Sequence, residues 1–273
     1  MVTYDNIGTP SRRTVLQAAG GVVGSLGAGS GLASETARAA FSFGCPDATI
    51  EPGMVHVDDS LMAVCADDHP ATTELQQEVE KSLQRNFPTV GSLIDQGYIP
   101  YFDLMTSAGE SSWSHWLNPA FIGDDTNVDP ERPESILVDH QWWRPIGVMF
   151  IATEDGEPVD PPPAVYSDDD GKCRPWHAHI GLPGRYAWWK YQQLYEPDDS
   201  GPSPSLPCRT PWMMHVWAYP HPKSVYAHGA PPPENRGGPP AEPAGFETDA
   251  VPGEDPLNWE VLPDVLRHKV QHR

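Results

Sequence analysis

Ser135-Ile136-Leu137-Val138-Asp139 and, past Arg144-Pro145, Ile146-Gly147-Val148-Met149-Phe150-Ile151-Ala152 decide the class of fold. Both runs are short, rich in β-branched and aliphatic residues, and bounded by proline or aspartate, which is the pattern of buried strands. Three more stretches share that character: Trp176–Ile180, Trp188–Leu194 and Met213–Tyr219. Outward from them, 32 prolines and 24 glycines among 273 residues exclude long helical bundles and coiled coils. Toward the N-terminus, Leu75, Val79 and Leu83 recur at four-residue spacing behind a Thr73/Gln76 capping pair. That predicts a helix over 73–86, and a second, shorter one over 90–96 stopped by Gly97. The expectation is a mainly β protein with N-terminal helices (α+β), built as an antiparallel β-sandwich or small barrel.

Seventeen Lys and Arg stand against 38 Asp and Glu, a formal charge of −21. Such a surface repels nucleic-acid backbones and anionic headgroups, so nucleic acid is excluded as a partner, and it suits a chain that stays hydrated at very high salt. Ser11-Arg12-Arg13-Thr14-Val15-Leu16-Gln17 precedes the uncharged, Gly-rich run Thr14–Ala33 and a small-x-small site at Ala37-Arg38-Ala39. This looks like a twin-arginine export signal. The chain then divides into a signal peptide, 1–39; a lead-in segment, 40–72; a helix-plus-β domain, 73–228; and a Pro-rich C-terminal extension, 229–273. Extracellular or cell-surface localisation follows, with no stable membrane insertion after cleavage. Four cysteines (Cys45, Cys65, Cys173, Cys208) in an oxidising compartment read as two disulfides, for which sequence allows three pairings. The local choice is Cys45 with Cys65 and Cys173 with Cys208.

Histidines carry the chemistry. In Trp176-His177-Ala178-His179 the i, i+2 spacing puts both imidazoles on one face of a strand, near enough to share a metal. His215, in Met213-Met214-His215-Val216-Trp217, and His115, in an aromatic loop Trp113-Ser114-His115-Trp116, are the third and fourth candidates. Glu110, Asp139, His140 and His228 are reserve ligands or proton carriers, whereas His56, His69, His221, His268 and His272 sit in polar or Pro-rich stretches. Imidazole suits copper, zinc or iron, and Met213 or Met214 beside His215 tilts the choice toward copper. Four neutral ligands leave the ion's charge uncompensated, so a nearby acid or bound anion is expected.

In order along 74–230, Gly97-Tyr98, His115-Trp116-Leu117-Asn118-Pro119, Arg132-Pro133-Glu134-Ser135-Ile136-Leu137, Trp176-His177-Ala178-His179 and Met214-His215-Val216-Trp217 resemble the motifs of an uncharacterised family of exported bacterial and archaeal proteins. That resemblance groups the same four histidines and implies no particular activity. It departs from the family before His115, where no glycine stands, and at Pro183, where the family often has cysteine. His-x-His on a strand with a later histidine is also similar to cupins, but their following glutamate is missing, with Leu182-Pro183-Gly184 in its place. His-Glu-x-x-His, Gly-x-Ser-x-Gly and Gly-rich phosphate loops are absent from the sequence. The reading is a secreted halophilic protein with one mononuclear multi-histidine site, partnered by a metal ion or small molecule. Its rival is a metal-free extracellular binding protein with a Trp-rich groove.

Overall fold

A computed structural model describes residues 44–57, 65–101, 112–195, 205–239 and 243–266. The expected signal peptide and Glu110 lie outside the described residues. Among the described residues there are eleven strands: β1 (Met54–His56), β2 (Ile99–Pro100), β3 (Trp113–Leu117), β4 (Ser135–Asp139), β5 (Pro145–Ile151), β6 (Thr153–Glu154), β7 (Glu157–Pro158), β8 (Tyr166–Asp168), β9 (Gly171–Cys173), β10 (His177–His179) and β11 (Met213–Trp217). Helices are α1 (Pro70–Asn86), α2 (Val90–Asp95), α3 (Pro119–Ile122) and α4 (Leu182–Tyr195). Seven strands form one antiparallel sheet in the order β1-β10-β11-β5-β4-β3-β2, and β6/β7 and β8/β9 are small hairpins. The two runs that opened the sequence reading are its middle, and every residue of β4, β5 and β11 is buried. The fold is thus mainly β with N-terminal helices, and the sheet is open, with β1 and β2 as separate edges.

Residues alternate between two faces of this sheet. Met149, Ile151 and Met213 face one side, where Ala187 and Trp188 of α4 meet them around a common cavity. With that side occupied, α1 lies across β5 and β11 from the other, where Val148, Phe150, Met214 and Val216 point. Leu75, Val79 and Leu83 are the buried stripe of α1, as their spacing predicts. The helix starts three residues earlier than the Thr73/Gln76 pair suggested, because Pro70 occupies its first turn and His69 caps it, Nδ1 accepting from the Ala71 N–H at 3.2 Å. Thr89 and Ser92 form the capping box of α2, and Gly97, at φ +87°, turns the chain out of it.

Trp188–Leu194 is helix, not strand. Trp188, Tyr191 and Leu194, spaced by three, are its buried residues, a period that the run's aromatic content concealed. His115 lies in strand β3, not in a loop, paired with Leu137 of β4. The disulfides are also corrected, to Cys45–Cys208 and Cys65–Cys173. The lead-in segment supplies edge strand β1, and the Pro-rich extension packs on the core through Ala244, Leu257, Leu262 and Leu266. Arg236 of that extension donates to Asp139 at 2.8 Å where both side chains are almost wholly buried. The pair pins an otherwise irregular segment.

The sheet curls. His115 on β3 and His215 on β11 are separated by β4 and β5, about 14 Å in a flat sheet, yet their Nε2 atoms are 3.2 Å apart. Trp113 and Trp217 meet across the same gap with ring centroids at 5.3 Å. Gly147 of β5 lies beneath them. A Cβ there would fall 2.8 Å from the Val216 carbonyl and 3.0 Å from the Trp217 ring. Lacking a side chain, it lets the concave face close.

Candidate metal centre

That concave face collects imidazoles. His177 and His179 share it by the i, i+2 rule, held by β1 on one side (Met54↔His179, His56↔His177) and β11 on the other (His177↔Met213). Thr210 fixes the end of β10 by two hydrogen bonds, donating its N–H to the His179 carbonyl at 3.1 Å and accepting the His179 N–H on Oγ1 at 3.0 Å. α4 comes close because Gly184 has no side chain, where a Cβ would sit 2.6 Å from that of His179.

Ring nitrogens of His177, His179 and His228 lie within 4.8 Å of one another. His215 is buried beside them, its ring centroid 5.4 Å from His177 and 5.3 Å from His228. His115 extends the group through its 3.2 Å contact to His215, and His56 stands 6.4 Å from His177. The four histidines singled out by sequence therefore share one face. His228, a reserve candidate by sequence, belongs to the innermost trio with His177 and His179, and His56, whose polar surroundings point to solvent, stands beside them. A signal for His228 was available, since Val225-Tyr226-Ala227 before it is an apolar run; the Trp217 N–H bonds to the Val225 carbonyl and brings it in.

The electrostatics are those of neutral rings. Burial pushes His177 and His215 well below the usual histidine range, and the neighbouring imidazoles push the same way. His179 and His228 are lowered to about 4, again by burial first and by adjacent histidines second. Neutral imidazoles are the protonation state a metal requires. His177 Nε2 is buried without a hydrogen-bond partner, an arrangement that costs free energy unless something accepts its lone pair or its proton. The 3.2 Å contact between His115 Nε2 and His215 Nε2 is a hydrogen bond from one ring to the other, so His115 orients His215 from behind the trio. The chain matches no known protein family, no curated protein and no solved structure.

Other candidates are occupied elsewhere. Asp139 accepts from Arg236 and from the Gln141 and Trp142 N–H groups. His140 lies at the turn after β4, its N–H bonded to the Ser112 carbonyl. His69 approaches Asp168 at 3.2 Å and Asp170 at 3.9 Å, a second group with ligand-like spacing. Its Nδ1 accepts the Ala71 N–H, so Nε2 carries the proton and faces Asp168 as a donor. Stacked on Tyr166 at 3.6 Å, it serves as a buried helix cap and a hydrogen-bond donor to Asp168. Tryptophans serve mainly as core: Trp116, Trp143, Trp176, Trp188, Trp212 and Trp217 are all buried, which leaves little for an exposed aromatic groove.

Metal-free protein should lose stability in mild acid. Unfolded histidine titrates near 6.5, whereas His179 and His228 in the fold titrate at about 4. Between those values the unfolded chain binds protons that the folded chain refuses, so stability is greatest above pH 6.5 and falls toward pH 4. Denaturant midpoints of chelator-treated protein at pH 7.5, 6 and 5 should decline in that order. A His179→Gln/His228→Gln variant should flatten the slope, and an unchanged slope would refute the assignment.

Proposed function

We propose that the chain is an exported, halophilic protein that holds one transition-metal ion through His177, His179 and His228, with His215 as fourth group and His115 bonded behind it. The observation that carries this reading is the trio of ring nitrogens within 4.8 Å, His177 buried and His179 and His228 half-buried, with His177 Nε2 without a hydrogen-bond partner. These residues fit a metal by donor chemistry as well: the ligands are uncharged, convergent and already deprotonated. Met149 and Met213 line the adjoining cavity, and soft thioethers beside imidazoles favour copper over zinc or iron. Elemental analysis of protein purified after native export should find about one equivalent of one transition metal per chain. Less than about a tenth of an equivalent of any such metal would dismiss the site.

Export is supported by the twin-arginine motif and by two disulfides, which persist in oxidising compartments. Among the described residues no helix is long and apolar enough to cross a membrane. Because Arg12-Arg13 is the feature a transporter reads, replacing both with Lys should retain the precursor in the cell, uncut at Ala37-Arg38-Ala39. Immunoblots of cell and medium fractions test this. Normal secretion of the Lys-Lys variant rejects it.

A further inference from the structure

The histidine face opens into a cavity of about 250 Å³. Trp113, Trp188, Leu117 and Ile151 are among its walls, and His115, His179 and His228 are its imidazole edge. The Thr210 hydroxyl is already committed, since it accepts from the His179 N–H and donates to the Pro211 carbonyl at 2.9 Å. Among the described residues no lysine, arginine, aspartate or glutamate lines the space. Tyr101, beside His115, is the other polar side chain on the wall, so the chamber is apolar except along its histidine side.

From this geometry we propose a small-molecule site beside the metal, for a one-ring aromatic compound bearing a single anionic oxygen. This rests on the metal reading above. The ring is set by size and walls: a cavity of 150 Å³ lined by aliphatic and aromatic side chains accepts benzene, and the larger chamber leaves room for one substituent. Indole faces and thioethers favour an aromatic ring through edge, stacking and sulfur contacts. The anion is set by charge. A divalent ion held by neutral imidazoles carries an uncompensated positive charge in an apolar surround, and the chamber walls supply no carboxylate to balance it. An oxygen anion on the ligand does so, at the one end of the chamber where it can be coordinated. Aliphatic acids lack the ring contacts, and neutral aromatics lack the charge.

The full exported chain, stripped and reloaded with cobalt(II), tests this with benzoate as probe, because the visible bands of cobalt respond to an exchanged ligand. Benzoate should shift those bands saturably. Acetate, with the anion alone, and benzyl alcohol, with the ring alone, should each bind at least about tenfold more weakly. Ala187→Trp fills the chamber from α4 and leaves every histidine in place. It should keep its cobalt and lose the benzoate response by at least about tenfold, and Ala187→Leu, a smaller change that the helix tolerates readily, should weaken it in the same direction. Bands unmoved by benzoate, acetate acting as well as benzoate, or both Ala187 variants responding like wild type would overturn the small-molecule site and leave the metal reading standing. Failure of the wild type to take up cobalt at all removes the metal reading and this inference with it.

Discussion

His177→Ala in the full chain should lower metal affinity by more than about 100-fold, beyond the 10- to 100-fold that loss of an orienting partner costs. His177 is the pivot of the cluster: its ring lies 5.4 Å from His179, 5.4 Å from His215 and 4.8 Å from His228, so its removal takes a donor from every combination of ligands. His179→Ala and His228→Ala should match it. His115→Ala should fall in the smaller range, because His115 reaches the trio through His215. His69→Ala is the control. It should leave metal content unchanged while weakening the start of α1, whose Ala71 N–H it caps. Competition against a chromophoric chelator, with circular dichroism to confirm folding, reads all five. Retention of metal by folded His177→Ala would refute the site. In the metal-free protein, His177→Leu should cost little or nothing, since it removes a buried nitrogen that has no partner.

What the sequence revealed and what it hid divide by range. β4 was legible to the residue and β5 to within one at each end, because a wholly buried strand announces itself by uninterrupted apolar content. α1 was legible from Leu75, Val79 and Leu83. β3 was not, since Trp113-Ser114-His115-Trp116 has polar residues on both faces. Ser114 is buried with its Oγ accepting from the Trp116 indole at 3.3 Å, and the other face carries His115. The His177/His179 pair could be inferred from local spacing alone. For His228 the sequence shows only burial, in the apolar run before it, and for His56 not even that, because their places depend on β1 pairing across to β10 and on the return of 225–228 beside β11, both contacts of long sequence separation.

The motifs also sort by physical task. Gly97-Tyr98, Asn118-Pro119 and Arg132-Pro133-Glu134 interlock: the Tyr98 hydroxyl donates to the Pro133 carbonyl at 2.6 Å, the Asn118 N–H to the Glu134 carbonyl at 2.9 Å and the Ile151 N–H to the Glu134 carboxyl at 3.2 Å. Asn118 also caps α3 through Ala120. That knot lies at one end of β3 and β4 and fixes their register. Trp176-His177-Ala178-His179 and Met214-His215-Val216-Trp217 instead place their histidines on the concave face. The first group fixes the β3/β4 register that keeps His115 on the same face as the second. A register slip of one residue in β3 would turn His115 to the α1 side and Trp116 to the cavity.

Cleavage and mass mapping of the unreduced protein should find Cys45 joined to Cys208 and Cys65 to Cys173, with no free thiol. The local pairing expected from sequence fails because β1 and β10 run antiparallel. Past His56 the Val57 N–H donates to the Trp176 carbonyl, on the side of β10 where Cys173 meets Cys65; before β1, Thr49 is bonded to Ile180 and Leu182, at the end of β10 where Thr210 binds His179 and Cys208 meets Cys45. The bridges are therefore nested across sequence separations of 163 and 108. Loops of that size imply about 5 kcal/mol each from restriction of the unfolded chain, comparable with the whole stability of many domains. A Cys65→Ser/Cys173→Ser variant should consequently unfold at much lower denaturant than wild type. It should also bind metal more weakly than Cys45→Ser/Cys208→Ser, because the Cys65–Cys173 bridge sits four residues before His177 and anchors the approach to β10. Fragments linking Cys45 to Cys65, or Cys173 to Cys208, would contradict the β1–β10 pairing and, with it, the placement of His56 beside His177.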